Sequence, residues 1–112
     1  MEWSTLNIHV VKVKHDKNFI AFIALKDNEA VGWANLTLQL NNKITLQDAY
    51  VVEGYRKQGI YSKLWEKRMK YIEKNFKGYE VSAYCNEVSL DKFLRNGFKP
   101  TSIVQKVSKV IE

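Results

Sequence analysis

The chain has 112 residues and a formal net charge of +6, so it can bury one small core and favours anionic partners without choosing among them. Its one cysteine, Cys85, excludes an internal disulfide and a zinc site built from thiolates, and no apolar run reaches membrane-spanning length. Met1 to Leu6 carry no basic segment followed by an apolar run, so no signal peptide is expected, and a reducing, cytoplasmic compartment is.

No repeat, low-complexity tract or linker interrupts the chain, and one domain over residues 1–112 is expected. Leu6 to Lys14 is rich in β-branched residues and reads as a first strand. His15 to Asn18 is a polar break. Phe19 to Lys26 is apolar on both faces, which predicts a central second strand. Asp27-Asn28-Glu29 is a turn, and Ala30 to Leu40, alternating from Trp33 onward, is a third strand. Asn41-Asn42-Lys43 turns the chain again into a fourth strand, Ile44 to Val52. Turns this short join antiparallel neighbours, so the four strands should form a meander.

A helix is predicted from Gln58 to about Asn75. At about 100° per residue, Tyr61, Leu64, Trp65, Met69, Ile72 and Phe76 share one face. Lys63, Lys67, Lys70 and Lys74 form a stripe on the other side, read as a solvated face rather than a nucleic-acid surface. Arg68 falls inside the apolar arc; it is expected to snorkel outward or to meet a carboxylate or a partner. Gly78 ends the helix. Tyr79 to Tyr84 is a fifth strand, parallel to the fourth because a helix crosses between them. Val88 to Asn96 is a short helix stopped by Gly97, and Phe98 to Ile111 supplies one long or two short closing strands. The fold class is α/β, a mixed sheet with a crossover helix.

The stretch with chemical content is Val51-Val52-Glu53-Gly54-Tyr55-Arg56-Lys57-Gln58-Gly59-Ile60-Tyr61. It carries a strand into a helix N-terminus, where backbone N–H groups lack intrahelical partners and the helix dipole is positive. Gly59 leaves room for close approach, and Arg56 and Lys57 add charge at the rim. The amides from Lys57 to Tyr61 are therefore candidates to cradle a diphosphate. There is no nucleoside-triphosphate P-loop and no dinucleotide fingerprint.

Arg56-Lys57-Gln58-Gly59-Ile60-Tyr61 resembles the Arg/Gln-x-x-Gly-x-Gly/Ala loop of the GNAT superfamily of N-acyltransferases, which binds the pyrophosphate of acetyl-coenzyme A. Asn86, Ser89, Phe93 and Gly97-Phe98 resemble the second signature of that family, and Leu46 to Val51 resemble its fourth strand. The resemblance implies a GNAT-like mixed sheet: four antiparallel strands, a crossover helix, a parallel fifth strand, a short helix and closing strands. It implies a pyrophosphate held by Arg56, Lys57, Gln58, Gly59, Ile60 and Tyr61. Val51, Val52 and Asn86 would hold the pantetheine arm, and Phe93 would line it.

This sequence departs from the family in three places. The helices usual between the first two strands are missing. Tyr61 stands where a small residue is usual. Phe93 stands where many members carry a tyrosine that protonates the leaving thiolate. Tyr84 is the candidate to replace that acid, and Asp48 to be the base, with Glu53 as the other nearby carboxylate. The implied reaction is acetyl transfer from acetyl-coenzyme A, without a metal, to a small amine, a lysine or a protein N-terminus. The open acceptor side suits a protein substrate or a homodimer partner. The other reading is a GNAT-fold module that binds coenzyme A or a protein without catalysis.

Overall fold

The computed structural model describes residues 6–13, 16–85, 87–100 and 106–112. The hairpins form where the apolar runs stop. Asp27 and Asn28, with φ of 52° and 68°, make a two-residue loop between Lys26 and Glu29. Asn41 and Asn42 take φ of 63° and 57° in the next one. Asn and Asp tolerate this left-handed conformation best among residues with a Cβ, and it matches the twist of a hairpin. The result is an antiparallel meander of β1 (Leu6–Val13), β2 (Asp16–Lys26), β3 (Glu29–Gln39) and β4 (Lys43–Val51). β2 starts at Asp16, not at Phe19 as the apolar pattern suggests. Asp16, Lys17 and Asn18 are exposed, and Asp16 pairs with Val13 after a register shift.

A long helix, α1 (Ile60–Asn75), carries the chain across to β5 (Glu80–Tyr84), which runs parallel to β4. Then come α2 (Glu87–Arg95) and two closing strands, β6 (Lys99–Pro100) and β7 (Lys106–Val110). Among the described residues the sheet has seven strands in the order β1-β2-β3-β4-β5-β7-β6. No helix among them is long and apolar enough to cross a membrane.

α1 buries Ile60, Leu64, Trp65, Arg68, Met69 and Ile72 against one face of the sheet, over Ile20, Phe22, Ala24, Ala34 and Leu36. Each fully buried aliphatic side chain contributes about 1.5–3 kcal/mol. The helix sits so close to β3 that a Cβ on Gly32 would lie 3.0 Å from the Tyr50 carbonyl and 3.2 Å from Leu64. The lysine stripe is exposed. β2 lies between β1 and β3, but it is buried on one side only. Phe19, Ala21 and Ile23, on the face away from α1, remain partly exposed.

α2 ends in a Schellman turn. Gly97 takes φ of 89°, the Phe98 N–H donates to the Phe93 carbonyl, and the Gly97 N–H donates to that of Leu94. This turn brings Phe98 back onto Phe93, with ring centroids 5.0 Å apart, and Phe93 onto Trp65 of α1 at 4.7 Å. That aromatic cluster fixes α2 beside α1.

Candidate functional site

β4 and β5 pair only from Lys43/Glu80 to Leu46/Ala83, and then they part. The cause lies in β4. Between the pairs Trp33–Tyr50 and Asn35–Gln47, two steps along β3 span three along β4. The extra residue is a bulge, which bends the strand and sharpens its twist. The strands leave a cleft of about 560 Å³ whose vertex is Leu46 and Ala83, walled by Tyr61, Arg68, Cys85 and Phe93. A second chamber of about 590 Å³ runs past Val51 and Tyr55 to Gly59. Ala49, Tyr61 and Ser62 line both, so the two form one groove from the strand vertex to the N-terminus of α1.

At that N-terminus the backbone is the functional group. Gly54, Lys57 and Gly59 take φ of 95°, 65° and 80°, which folds the loop tightly ahead of the helix. Gly59 is the N-cap, no side chain caps it, and the first turn holds no acidic residue. The first helical bond runs from Lys63 N–H to the Gly59 carbonyl. The amides of Ile60, Tyr61 and Ser62 therefore have no intrahelical partner and sit at the positive end of the dipole. A Cβ on Gly59 would meet nothing within 4 Å. The glycine is thus required by its left-handed φ, and the space above it is open.

Arg56 does more than carry charge at the rim. Its Nε donates to the Val51 carbonyl at 2.8 Å, and its guanidinium lies 5.3 Å from the centre of the Tyr50 ring, so it ties the loop to β4. Gln58 is held similarly, its Oε1 accepting from Lys26 Nζ at 2.8 Å. Lys57 is exposed. The Val52 N–H donates to the Val31 carbonyl at 2.8 Å and is committed to β3. By the alternation of an antiparallel ladder, the N–H and carbonyl of Val51 point to the other edge; the carbonyl is taken by Arg56 Nε, and the N–H is left facing the groove.

The catalytic candidates are placed unequally. Asp48 lies in the bulged stretch of β4, but its side chain, like all of Asn86, falls outside the described residues. Glu53 is exposed on the loop. Tyr84 lines the cleft and is 66% exposed, with Lys106 Nζ 5.5 Å from its ring centre. Phe93 is buried and gives the cleft an apolar wall. Cys85 also lines it, and burial raises its thiol above the ordinary value. Among the described residues no group of three or more His, Cys, Asp or Glu could hold a metal ion.

Two cleft residues matter more than their place in the sequence suggests. Tyr61 is partly buried between the chambers. Burial raises its hydroxyl pKa, while the nearby Arg68 charge pulls it down. Arg68 does not snorkel. It is 2% exposed, and its Nη1 donates to the carbonyls of Asn35 at 3.1 Å and Gln47 at 3.5 Å, beside the bulge.

Comparison with known proteins assigns this chain to a family. A family model described as "Acetyltransferase (GNAT) family" covers residues 2–98. The chain belongs to the GNAT acetyltransferase family. Several solved structures share its fold. A putative acetyltransferase from Exiguobacterium sp. 255-15 superposes with a TM-score of 0.73 at 14% identity, covering 95% of this chain and 93% of that one. A GNAT-family acetyltransferase from Staphylococcus aureus Mu50 gives 0.64 at 21% identity, covering 85% and 69%. The PaiA N-acetyltransferase from Thermoplasma acidophilum, solved in complex with coenzyme A, gives 0.66 at 22% identity, covering 85% and 62%. No curated protein matches the chain.

Within this GNAT fold, β2 follows β1 directly, with Val13 paired to Asp16. The Exiguobacterium structure is spanned almost end to end by the chain, so a GNAT fold of about this size is found elsewhere. Tyr61 was visible in the sequence as a departure from the loop pattern, and Arg68 as a charge on an apolar face. The bulge beside which Arg68 donates carries no comparable sequence signal.

Proposed function

We propose that this GNAT protein transfers an acetyl group from acetyl-coenzyme A directly to an amine. The observation that carries this reading is the uncapped N-terminus of α1 opening onto the groove between β4 and β5. The amides of Ile60 to Ser62 and the charges of Arg56 and Lys57 suit a pyrophosphate, and the groove-facing N–H of Val51 suits a carbonyl of the amide-bearing arm. In the reaction the amine nitrogen attacks the thioester carbonyl, the C–S bond breaks, and the thiolate takes a proton. Asp48 or a water it holds is the acceptor of the ammonium proton. Tyr84, on the cleft at the end of β5, is the candidate donor to the thiolate; Tyr61, in the turn whose amides suit the pyrophosphate, stands at the phosphate end of the arm.

The amine belongs to a small molecule, a lysine side chain or a protein N-terminus. The partly exposed sheet face away from α1 favours a broad acceptor or a second protein along that side. A second reading, binding without transfer, draws on Phe93, which puts an apolar ring where the family often has an acid.

Thermal melting with acetyl-coenzyme A, combined with thiol release from it in a pool of amines, amino acids and lysine-rich peptides, separates the two. Stabilisation with amine-dependent thiol release supports transfer. Stabilisation with release no faster than hydrolysis leaves binding alone. No stabilisation by the thioester or by free coenzyme A sinks both.

A further inference from the structure

Arg68 is the only buried charged side chain among the described residues, and it lines the cleft near the vertex. Its two hydrogen bonds both leave from Nη1, and its Nε has no partner. Around it stand the Trp65 ring, 5.9 Å away, the Tyr61 hydroxyl within electrostatic range, and Gln47 through its backbone. No described carboxylate pairs with it. Asp91 also lines the cleft, but at the exposed rim, where it pairs with Arg95 at 2.9 Å. A buried cation with an orphaned donor and no counter-ion among the described residues, where Asn35 Oδ1 is also left without a partner, is a costly arrangement that a folded chain seldom keeps without a use. Burial draws the guanidinium down to about 10, still charged at neutral pH.

We propose that Arg68 is the receptor for a carboxylate on one of the two reaction partners. The shape of the group argues for this chemistry. With Nη1 committed to the bulge carbonyls, the Nε side of the guanidinium remains, and that edge matches the two oxygens of a carboxylate. Leu46, Ala83 and Phe93 offer apolar contact for a few methylenes leading to it. The pyrophosphate has its own place at the α1 N-terminus, across Tyr61, so the vertex cation is left for a second anion. The carboxylate comes from the far end of a short dicarboxylic acyl thioester or from an amino-acid acceptor. In either case it is a spectator: the amine still attacks the thioester carbon and the thiolate still leaves. The inference rests on the cleft being the transfer site, and it names a partner class for that site.

The first test needs no chemistry. The Arg68 Nε–H resonance of the full chain is followed by NMR while sodium succinate is added, with sodium chloride and 1,4-butanediol as controls. A saturable shift with succinate alone is expected. No shift overturns the proposal. So does a resonance that ignores succinate but moves in Asp48→Asn, because the carboxylate is then the chain's own.

The second test compares succinyl- with acetyl-coenzyme A on a neutral amine, and an amino acid with its decarboxylated amine under acetyl-coenzyme A. One of these pairs should favour the carboxylate. That preference ratio should fall about 10- to 100-fold in Arg68→Met, the size of one charge-assisted hydrogen bond. Arg68→Lys, which keeps the charge and loses the fork, should recover only part of it. A ratio that Arg68→Met leaves unchanged overturns the proposal in both arms. If neither free nor acylated coenzyme A stabilises the protein, the transfer reading falls instead, while the succinate titration still decides the role of Arg68.

Discussion

The two ends of the groove are built from different materials. At the α1 end, the backbone does the work: Gly54, Lys57 and Gly59 set left-handed turns, and uncapped amides supply the positive field. At the vertex, side chains do it: Trp65, Phe93 and Phe98 interlock, with Tyr61 and Arg68 facing the space between the strands. Backbone recognition suits the part of a ligand that never changes. Any side chain will serve in such a loop, provided φ is allowed. Side-chain recognition suits the part that distinguishes one substrate from another. On this view the loop explains membership of the family, and the vertex holds what is particular to this member.

The largest test of that contrast is Phe93→Ala. Truncating a buried aromatic usually costs about 3–5 kcal/mol through lost contacts and the cavity left behind. In a domain of this size that lowers the melting temperature by roughly 15 °C or more. α2 should loosen with it, because Phe93 meets both Trp65 and Phe98. Denaturant titration checks this, and a loss under 1 kcal/mol (roughly) would mean that the vertex can repack after truncation.

At the loop end the same contrast predicts that φ and charge matter more than side-chain identity. A ligand at about 100 times its dissociation constant stabilises a fold by about 2.7 kcal/mol. Gly59→Glu should remove nearly all of that, by placing a carboxylate in the open space above Gly59. Because φ at Gly59 is 80°, any substitution adds strain. Gly59→Asn, the side chain most tolerant of that conformation, is therefore the control and should keep most of the shift. Melting with and without acetyl-coenzyme A reads both. Equal stabilisation of wild type and Gly59→Glu would remove the loop from the site.

Much of this architecture is legible in the sequence. The Asn and Asp pairs mark both hairpins, the apolar period marks α1, and glycines mark the ends of both helices. The hydrophobic pattern gives the order of elements and the strand–turn–helix marks the loop; the resemblance adds the ligand expected there. What escaped depends on contacts between distant residues. The bulge follows from a mismatch between β3 and β4 that neither strand shows alone. Arg68 sits on an apolar face, where a charge reads as snorkelling until the two carbonyls beside the bulge are seen to receive it. Arg56 reads as a free cation, yet its Nε is tied to Val51. Phe19, Ala21 and Ile23 read as one side of a doubly buried strand, but the described residues leave that side partly open.

The two tyrosines sharpen the vertex half of the comparison. General acid help is typically worth about 10²–10⁴-fold in rate, and a thiolate is a good enough leaving group to keep the loss near the lower bound. Tyr84→Phe should therefore slow transfer by about 100-fold, with little change in the melting temperature, since its ring lines the cleft and is 66% exposed. Tyr61→Phe should slow it by less than about threefold, since its ring stands at the phosphate end of the arm. Thiol release at saturating acetyl-coenzyme A measures both. The reverse ranking would give the acid role to Tyr61.

The smallest effect expected is on the reactivity of Cys85, and it reports whether ligand reaches the vertex at all. The thiolate is the reactive form, so a thiol raised by burial reacts slowly near neutral pH. The direction follows from the protonation: the labelling rate should climb with pH and continue to climb beyond the point where a free cysteine levels off. Iodoacetamide labelling followed by mass spectrometry gives that profile. Because Cys85 and Tyr61 line the same chamber, acetyl-coenzyme A, which has no free thiol to consume the reagent and extends past the loop, should slow labelling several-fold. A ligand fragment that ends at the pyrophosphate, such as 3′-phospho-ADP, should bind at the loop without slowing it. Protection by both would mean that binding at the α1 end closes the cleft. Protection by neither would confine the ligand to the loop, and the vertex residues would then have no part in holding it.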